Sequence, residues 1–254
     1  MTRAVTSWAW NVRSSMGQPA RRRVRAVVDP LLGRAIGSVH AGSSTTHIVL
    51  TLDDGPEPSV TPLMLDLLAE LGLTASWFLL AGRAELYPTL VERMVREGHE
   101  VSLHGLDHRR VSTMARAEAF EYLRVAKDML EQIAGVDVLR FRPPYGSQSL
   151  TSFLAARRAG LEVVVWSADA QDWVDRTGSQ VARDASDAVK AGGILLLHER
   201  LEPDPLRDSP STTFDRIEMV RELGQLLAER RLAMSSLRDL EPSGPLVRTV
   251  WFRP

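Results

Sequence analysis

The sequence contains no cysteine, and this absence removes several classes of chemistry. A chain without thiols has no disulfide scaffold, no iron–sulfur cluster, no cysteine-ligated zinc and no cysteine nucleophile. Histidine is also scarce, with six residues in a chain of 254. A metal site in this protein must therefore be built from a few imidazoles together with aspartate or glutamate carboxylates.

Long apolar runs are missing as well. No stretch approaches the ~20 apolar residues that cross a bilayer, and the N-terminal region lacks the ~7–15-residue apolar segment of a secretion signal. The arginines at 21–23 resemble a twin-arginine signal, but Arg25 and Asp29 interrupt the segment that should be apolar. The sequence therefore favours a cytoplasmic location, with membrane association as an alternative and secretion as the less favoured outcome.

Charge is unevenly distributed, although the net charge is only −1. Residues 1–34 carry seven arginines and one aspartate, so they contribute +6 and the remaining residues contribute −7. The acidic body argues against a nucleic-acid partner. Residues 1–45, rich in Arg, Ser and Gly, predict a basic N-terminal extension. It is expected to be either an arm, mobile or packed on the domain, or a segment that contacts a membrane surface.

From residue 47 onwards, apolar runs alternate with segments of helical periodicity. Strands are predicted at 47–52, 75–80, 100–103, 138–141, 161–166 and 194–197, and helices at 59–71, 88–97, 115–134, 150–158, 179–190 and 214–230. This alternation is typical of a parallel sheet with helical crossovers. Residues 46–240 therefore predict a single barrel-like α/β domain, and residues 241–254 a packed C-terminal tail.

Residues that can bind a metal or transfer a proton come directly after the predicted strands. In chain order they are Asp53, Asp54, His104, Arg142, Asp169, Asp172 and His198. In a parallel barrel the carboxyl ends of the strands open on one face, where active sites lie. Five separate segments thus bring acid, base, cation and imidazole groups to one rim.

Each motif also has a structural alternative when it is taken alone. His104 and His108 are four residues apart and can bind one metal from a helical turn, but six histidines produce such a spacing by chance in roughly one sequence in ten. Asp53 and Asp54 could belong to a capped turn. At a strand end, however, the two carboxylates can point to different partners, so that one binds a metal while the other serves as a base.

The set, in this order, resembles the motifs of the polysaccharide deacetylase family, also called the NodB-homology domain or carbohydrate esterase family 4. The resemblance spans roughly residues 46–240. Its five motifs lie at 51–56 (TLDDGP), 104–108 (HGLDH), 142–145 (RPPY), 169–173 (DAQDW) and 196–198 (LLH). Two positions depart from the usual pattern, because Gly105 replaces a Ser or Thr and Glu199 replaces an Asp.

The resemblance implies a distorted (β/α) barrel of the NodB-homology type that removes an N-acetyl group from an amino sugar. One divalent metal is implied, most often zinc, with cobalt, nickel or manganese as substitutes. Asp54, His104 and His108 would be the metal ligands. Asp53 would be the general base that activates the attacking water at the metal, and Arg142 would orient it.

The remaining motifs supply the proton donor and the acyl pocket in this resemblance. His198 would be the general acid that protonates the leaving amine, tuned by Asp172. Tyr145 would donate its backbone N–H to the oxyanion, and Trp173 and Leu196 would line the pocket for the acyl group.

Two alternatives remain open from the sequence. Because a fold does not fix a substrate, the same scaffold could be a deacylase or deformylase of a lipid-linked or small non-polymeric amide. A catalytically inactive carbohydrate-binding module is a different class of protein, and the complete set of acid, base and ligands argues against it.

Overall fold

Parallel strands make the central sheet. The computed structural model describes residues 29, 31–203 and 212–252, so residues 1–28 and 30 of the basic extension predicted at 1–45 lie outside the described residues. The strands are β1 (Ser38–Ala41), β2 (His47–Asp53), β3 (Ser76–Leu80), β4 (Glu100–Gly105), β5 (Arg140–Phe141), β6 (Glu162–Val163), β7 (Ala168–Asp169), β8 (Ile194–His198), β9 (Ala233–Ser235) and β10 (Val247–Thr249). Strands β2 to β9 form one curled sheet in the order β6-β5-β4-β3-β2-β8-β7, with β9 beside the start of β2.

Helices connect these strands and cover the outside of the sheet. They are α1 (Thr61–Leu71), α2 (Ala81–Leu86), α3 (Pro88–Arg96), α4 (Arg116–Ala134), α5 (Leu150–Arg158), α6 (Gly178–Ala188), α7 (Arg216–Glu229) and α8 (Leu237–Leu240). Local sequence sets their ends. Gly135 ends α4 in the left-handed conformation that glycine adopts without steric cost, and Asp215 begins α7 by accepting hydrogen bonds from the first turn. None of the helices in the described part is both long and apolar enough to span a bilayer.

Strand β2 is buried on both faces, which explains its nearly continuous apolar sequence. Leu50 and Leu52 face the larger core beneath the helices. Val49 faces the inside of the curl, where it packs with Phe78. Because side chains alternate along a strand, Asp53 shares the inner face with Val49 and therefore points toward the mouth of the barrel.

The predicted fold class is confirmed, and the six predicted strands and six predicted helices are all present with shifted ends. The prediction that the strand at 161–166 continues beyond residue 163 is wrong. Only Glu162 and Val163 pair with β5, because Val164 bridges to Val39 instead. The sequence also missed the short strands β1, β7, β9 and β10 and the short helices α2 and α8.

The two ends of the described chain meet on the same side of the fold. Strand β1, within the segment assigned to the N-terminal extension, pairs antiparallel with β10 of the tail. The Asp29 carboxylate accepts hydrogen bonds from the Thr249 hydroxyl and the Val250 N–H. Asp29 and strand β1 are therefore packed against the C-terminal residues 247–250 of the domain.

Candidate active site

Strand register brings the chemical groups of the site together. Asp53 and His198 are paired residues at the ends of the adjacent strands β2 and β8. On the other side of β2, the Arg142 N–H donates to the Leu103 carbonyl at 2.9 Å, which places Arg142 beside His104. The carboxyl ends of strands β2, β8, β4 and β5 thus form one cluster, as expected for a parallel barrel.

Asp54 and two histidines form a group whose atoms could bind one metal ion. Asp54 Oδ1 lies 3.3 Å from His104 Nε2 and 3.3 Å from His108 Nε2. Asp54 adopts a left-handed backbone conformation, with φ at 70°, and this turns its side chain away from that of Asp53. Burial raises the pKa of the Asp54 carboxyl, but the two imidazoles outweigh burial, so the pKa lies well below its usual value.

The chemistry of this group fits a divalent cation. Asp54 Oδ1 is buried and makes no hydrogen bond of normal geometry to any residue that the structure describes. His104 Nδ1 lies 2.8 Å from the Arg142 carbonyl oxygen. Donation to that carbonyl leaves the lone pair of His104 on Nε2, which faces Asp54. Two imidazole nitrogens and one carboxylate are a ligand set that zinc takes in catalytic sites, with further positions open.

Asp53 is held apart from this group by a buried arginine. Arg142 Nη1 donates to Asp53 Oδ1 at 2.6 Å and to Thr51 Oγ1 at 2.7 Å. Arg142 is fully buried, and its guanidinium stacks over the Phe78 ring at 4.0 Å. The other oxygen, Asp53 Oδ2, lies 3.8 Å from His104 Nε2. One Asp53 oxygen is thus fixed by a cation, and the other faces the metal-binding group.

His198 belongs to a second charged cluster on the other side of the site. Asp172 Oδ1 lies 2.8 Å from His198 Nδ1, and Asp172 Oδ2 accepts from the His198 backbone N–H at 2.8 Å. Burial lowers the pKa of His198, but Asp172 first and then Asp54 and Asp53 outweigh burial and raise the pKa to about 9. The imidazole is therefore protonated at neutral pH, and its Nε2 can donate a proton.

Arg216 completes this cluster, although no sequence motif indicated a role for it. Its Nη1 donates to Asp172 Oδ2 at 2.7 Å, and its Nη2 donates to the Asp172 carbonyl at 3.3 Å. Burial raises the pKa of Asp172, but His198 and Arg216 outweigh it and keep the pKa below its usual value. Asp172 therefore stays ionised between two cations. Arg216 begins α7, 44 residues after Asp172, so no local motif contains both.

The three residues predicted to bind substrate lie around these two clusters. The Trp173 ring meets the His198 ring edge-on, with centroids 5.7 Å apart. Leu196 is buried on β8, two residues before His198 and therefore on the same face. Tyr145 has a positive φ of 60°, and its ring lies 4.2 Å from the His108 ring.

Two further residues close to the site were not assigned a role from the sequence. The Tyr122 hydroxyl contacts the backbone between the two histidine ligands. Glu199 is buried beside His198, and the Thr61 hydroxyl donates to it. Burial raises the pKa of Glu199 to about 8, so this carboxyl is mostly protonated at neutral pH. Its position directly after a motif histidine was a usable signal, whereas nothing near Tyr122 in sequence indicated a role.

Comparison with known proteins shows the family of this chain. The family model described as polysaccharide deacetylase matches residues 41–164. A chitooligosaccharide deacetylase of Sinorhizobium fredii is 35% identical over 178 residues, covering 69% of this chain and 82% of that protein. The peptidoglycan-N-acetylglucosamine deacetylase PgdA of Listeria monocytogenes is 32% identical over 165 residues, which are 65% of this chain and 34% of that protein.

A solved structure shows the same fold. The family 4 carbohydrate esterase from Streptomyces lividans, in complex with acetate, aligns with a TM-score of 0.68 and 25% identity, covering 83% of this chain and all of that one. The fold and the named relatives are those of carbohydrate deacetylases. The chain belongs to the polysaccharide deacetylase family, and the resemblance seen in the sequence is confirmed.

Proposed function

We propose that this protein is a metal-dependent N-deacetylase that hydrolyses the acetamide of an amino sugar within an oligosaccharide or polysaccharide. The observation that carries the proposal is the placement of the Asp54–His104–His108 group. It lies between the Asp53–Arg142 ion pair and the His198–Asp172 ion pair. Asp53 on one side is suited to accept a proton, and His198 on the other is suited to donate one. Amide hydrolysis requires both events, because water must lose a proton and the leaving amine must gain one.

Asp54, His104 and His108 would hold the metal, which we propose to be zinc, with cobalt, nickel or manganese as substitutes. When bound, such an ion acts as a Lewis acid that polarises the acetyl carbonyl and lowers the pKa of a water molecule. The ligand set supports zinc because imidazole nitrogen and carboxylate oxygen are both ligands that zinc accepts.

Asp53 would accept the proton of the attacking water. Arg142 holds Asp53 Oδ1 at 2.6 Å, so the carboxylate cannot rotate to bind the metal with both oxygens. The pair thereby keeps a base beside the metal-binding group and opposes ligation of the metal through both Asp53 oxygens.

His198 would donate a proton to the leaving nitrogen of the sugar. Its Nδ1 is held by Asp172, so Nε2 is the nitrogen directed to the substrate. The Tyr145 backbone N–H would stabilise the oxyanion that forms at the acetyl carbon. Trp173 and Leu196 would surround the acetyl methyl group, because both present apolar surface on the His198 side of the site.

We propose N-acetylglucosamine residues of a glycan as the substrate class. The relatives named above act on chitooligosaccharide and on peptidoglycan N-acetylglucosamine, and both carry the same acetamide. Contact of the basic extension with a membrane surface stays a prediction, as does the cytoplasmic location.

A substrate panel tests the proposal. The zinc-loaded protein is incubated with chitooligosaccharides, peptidoglycan fragments, a lipid-linked N-acetylamino sugar and small N-acetyl and N-formyl amides, and the released acid is measured. Acetate from the chitooligosaccharides or the peptidoglycan fragments is the expected result, and the H108A variant, which lacks a proposed ligand, serves as the inactive control. Hydrolysis of the lipid-linked sugar or the small amides alone would instead favour the deacylase or deformylase alternative.

A further inference from the structure

The loop between the two proposed histidine ligands contains a glycine, Gly105, at a position where a side chain would collide with its neighbours. Gly105 ends β4 with a φ of 124°, a conformation that residues with a Cβ rarely adopt. A Cβ at this position would lie 2.7 Å from the Asp107 carbonyl oxygen and 2.9 Å from the Tyr122 hydroxyl oxygen. The missing side chain therefore leaves room for a hydroxyl group that comes from helix α4.

The Tyr122 hydroxyl makes its hydrogen bonds to the backbone of this loop. It accepts from the N–H groups of Leu106 and Asp107, each at 3.0 Å. Its own proton can go to the Asp107 carbonyl at 2.7 Å or to Asp107 Oδ1 at 2.9 Å. Burial raises the pKa of Tyr122 above its usual value, so the hydroxyl keeps its proton throughout the physiological range.

The two histidines differ in the structure that positions them. His104 lies within β4, and its ring is fixed by the Arg142 carbonyl. His108 lies beyond the end of the strand, in a segment without regular structure. The bonds from Tyr122 act on the two residues immediately before that segment reaches His108. A displacement of this loop would move His108 relative to Asp54 while leaving His104 in place.

We propose that Tyr122 is a positioning residue for metal binding, whose hydroxyl fixes the 105–108 loop in the space that Gly105 leaves and so holds His108 beside Asp54. This inference rests on the proposed function, since it concerns the same metal site. It differs from a role in packing alone, because the Tyr122 ring belongs to the hydrophobic core whereas the proposal concerns the hydroxyl. Residues that orient metal ligands from outside the ligand set commonly affect metal affinity by about 10–100-fold.

The Tyr122→Phe variant separates the two roles, because it keeps the ring and removes the hydroxyl. Zinc affinity is measured by competition with a chromophoric chelator, and the cobalt form is examined by visible absorption. We expect about tenfold weaker zinc binding or more, with an altered cobalt spectrum. Tyr87→Phe is the matched control: Tyr87 lies at the junction of α2 and α3, where its ring packs against the Arg83 guanidinium, and its variant should bind zinc like the wild type.

Substitution of Gly105 gives a second route that does not depend on the stability of Tyr122→Phe. Gly105→Ser places a side chain against the Tyr122 hydroxyl and should also weaken zinc binding. In the Gly105→Ser background, removal of the Tyr122 hydroxyl should cause little further loss, because the contact is already broken. Two losses that multiply would show that the hydroxyl and the space at residue 105 act independently, and would overturn the pairing.

The outcomes for the two proposals are distinct. Wild-type protein that binds no zinc or cobalt overturns the metal-dependent function, and the role of Tyr122 falls with it. Wild-type protein that binds metal while Tyr122→Phe binds it within about twofold, with an unchanged cobalt spectrum, overturns only the role of Tyr122. If Tyr122→Phe does not fold by circular dichroism, unchanged zinc affinity in Gly105→Ser overturns it in the same way.

Discussion

Asp53 and His198 are paired residues on adjacent parallel strands, and each is held by a different buried partner. Arg142 fixes an oxygen of Asp53, and Asp172 fixes Nδ1 of His198. The two groups thus lie side by side in the sheet, and each is bonded to a partner of opposite charge. A base and an acid positioned in this way can act on the two ends of one acetamide.

The first prediction concerns Asp53, which we assign to proton transfer and not to metal binding. Asp53→Asn should retain zinc near one ion per chain and lose about 10²–10⁴-fold in kcat, because an amide cannot accept the proton of water. Metal content is measured on the same samples that are assayed. Asp128→Asn, which changes an exposed carboxylate on α4, should match the wild type in both, and loss of zinc from Asp53→Asn would contradict the assignment.

The second prediction concerns the metal ligands. Zinc at 100 times its dissociation constant should raise the free energy of unfolding of the wild type by about 2.7 kcal/mol, because the ion binds only the folded chain. His104→Ala and His108→Ala should lose this stabilisation, since each removes a ligand atom near Asp54 Oδ1. Thermal unfolding with and without zinc is the measurement. An equal shift in either variant would place the metal elsewhere.

The third prediction concerns the buried ion pair between Arg142 and Asp53. Arg142→Met leaves the Asp53 carboxylate buried without a cation, so the free energy of unfolding should fall by about 3–5 kcal/mol. Urea denaturation measures the loss. Arg124→Met is the control, because Arg124 pairs with Glu121 on the exposed face of α4, and its loss should not exceed about 1 kcal/mol. Similar losses in both variants would mean that the buried pair is not structural.

The fourth prediction is a pH dependence set by His198. Its pKa of about 9 in the folded state lies above the ordinary value of 6.5, so the folded protein binds this proton more tightly than the unfolded chain. The resulting stabilisation is complete below pH 6.5 and is lost as the pH rises through about 9. Activity should fall over the same upper range, because a neutral His198 cannot protonate the leaving amine.

Asp172→Asn tests the cause of this pH dependence. Asp172 is the largest of the interactions that raise the pKa of His198, so its neutralisation should move the fall in kcat/KM to lower pH. An unchanged upper limb in the pH profile of this variant would assign the limb to another group.

The sequence located most of the site because parallel strands present their carboxyl ends on one face. Asp53, His104, Arg142 and His198 each follow an apolar run that proved to be a strand, and their order along the chain matched the family motifs. Alternation along the strand was also sufficient to suggest separate partners for Asp53 and Asp54.

The residues that the sequence missed act over long separations. Arg216 reaches Asp172 across 44 residues, and Tyr122 reaches the Leu106 backbone across 16. Both sit in helices whose local pattern is explained by packing alone, so their polar contacts depend on tertiary structure. Strands β1 and β10 were missed for a similar reason, because they pair from opposite ends of the chain and are too short for a clear alternation.

Titration of metal-free protein with zinc, followed by acetate release from an N-acetylglucosamine oligosaccharide, tests the central claim most directly. The account predicts no acetate from the metal-free protein and a rate that rises in proportion to added zinc until one ion is bound per chain. In His108→Ala the same titration should give no such rise. Acetate release by the metal-free protein at the rate of the zinc-loaded protein would contradict the account.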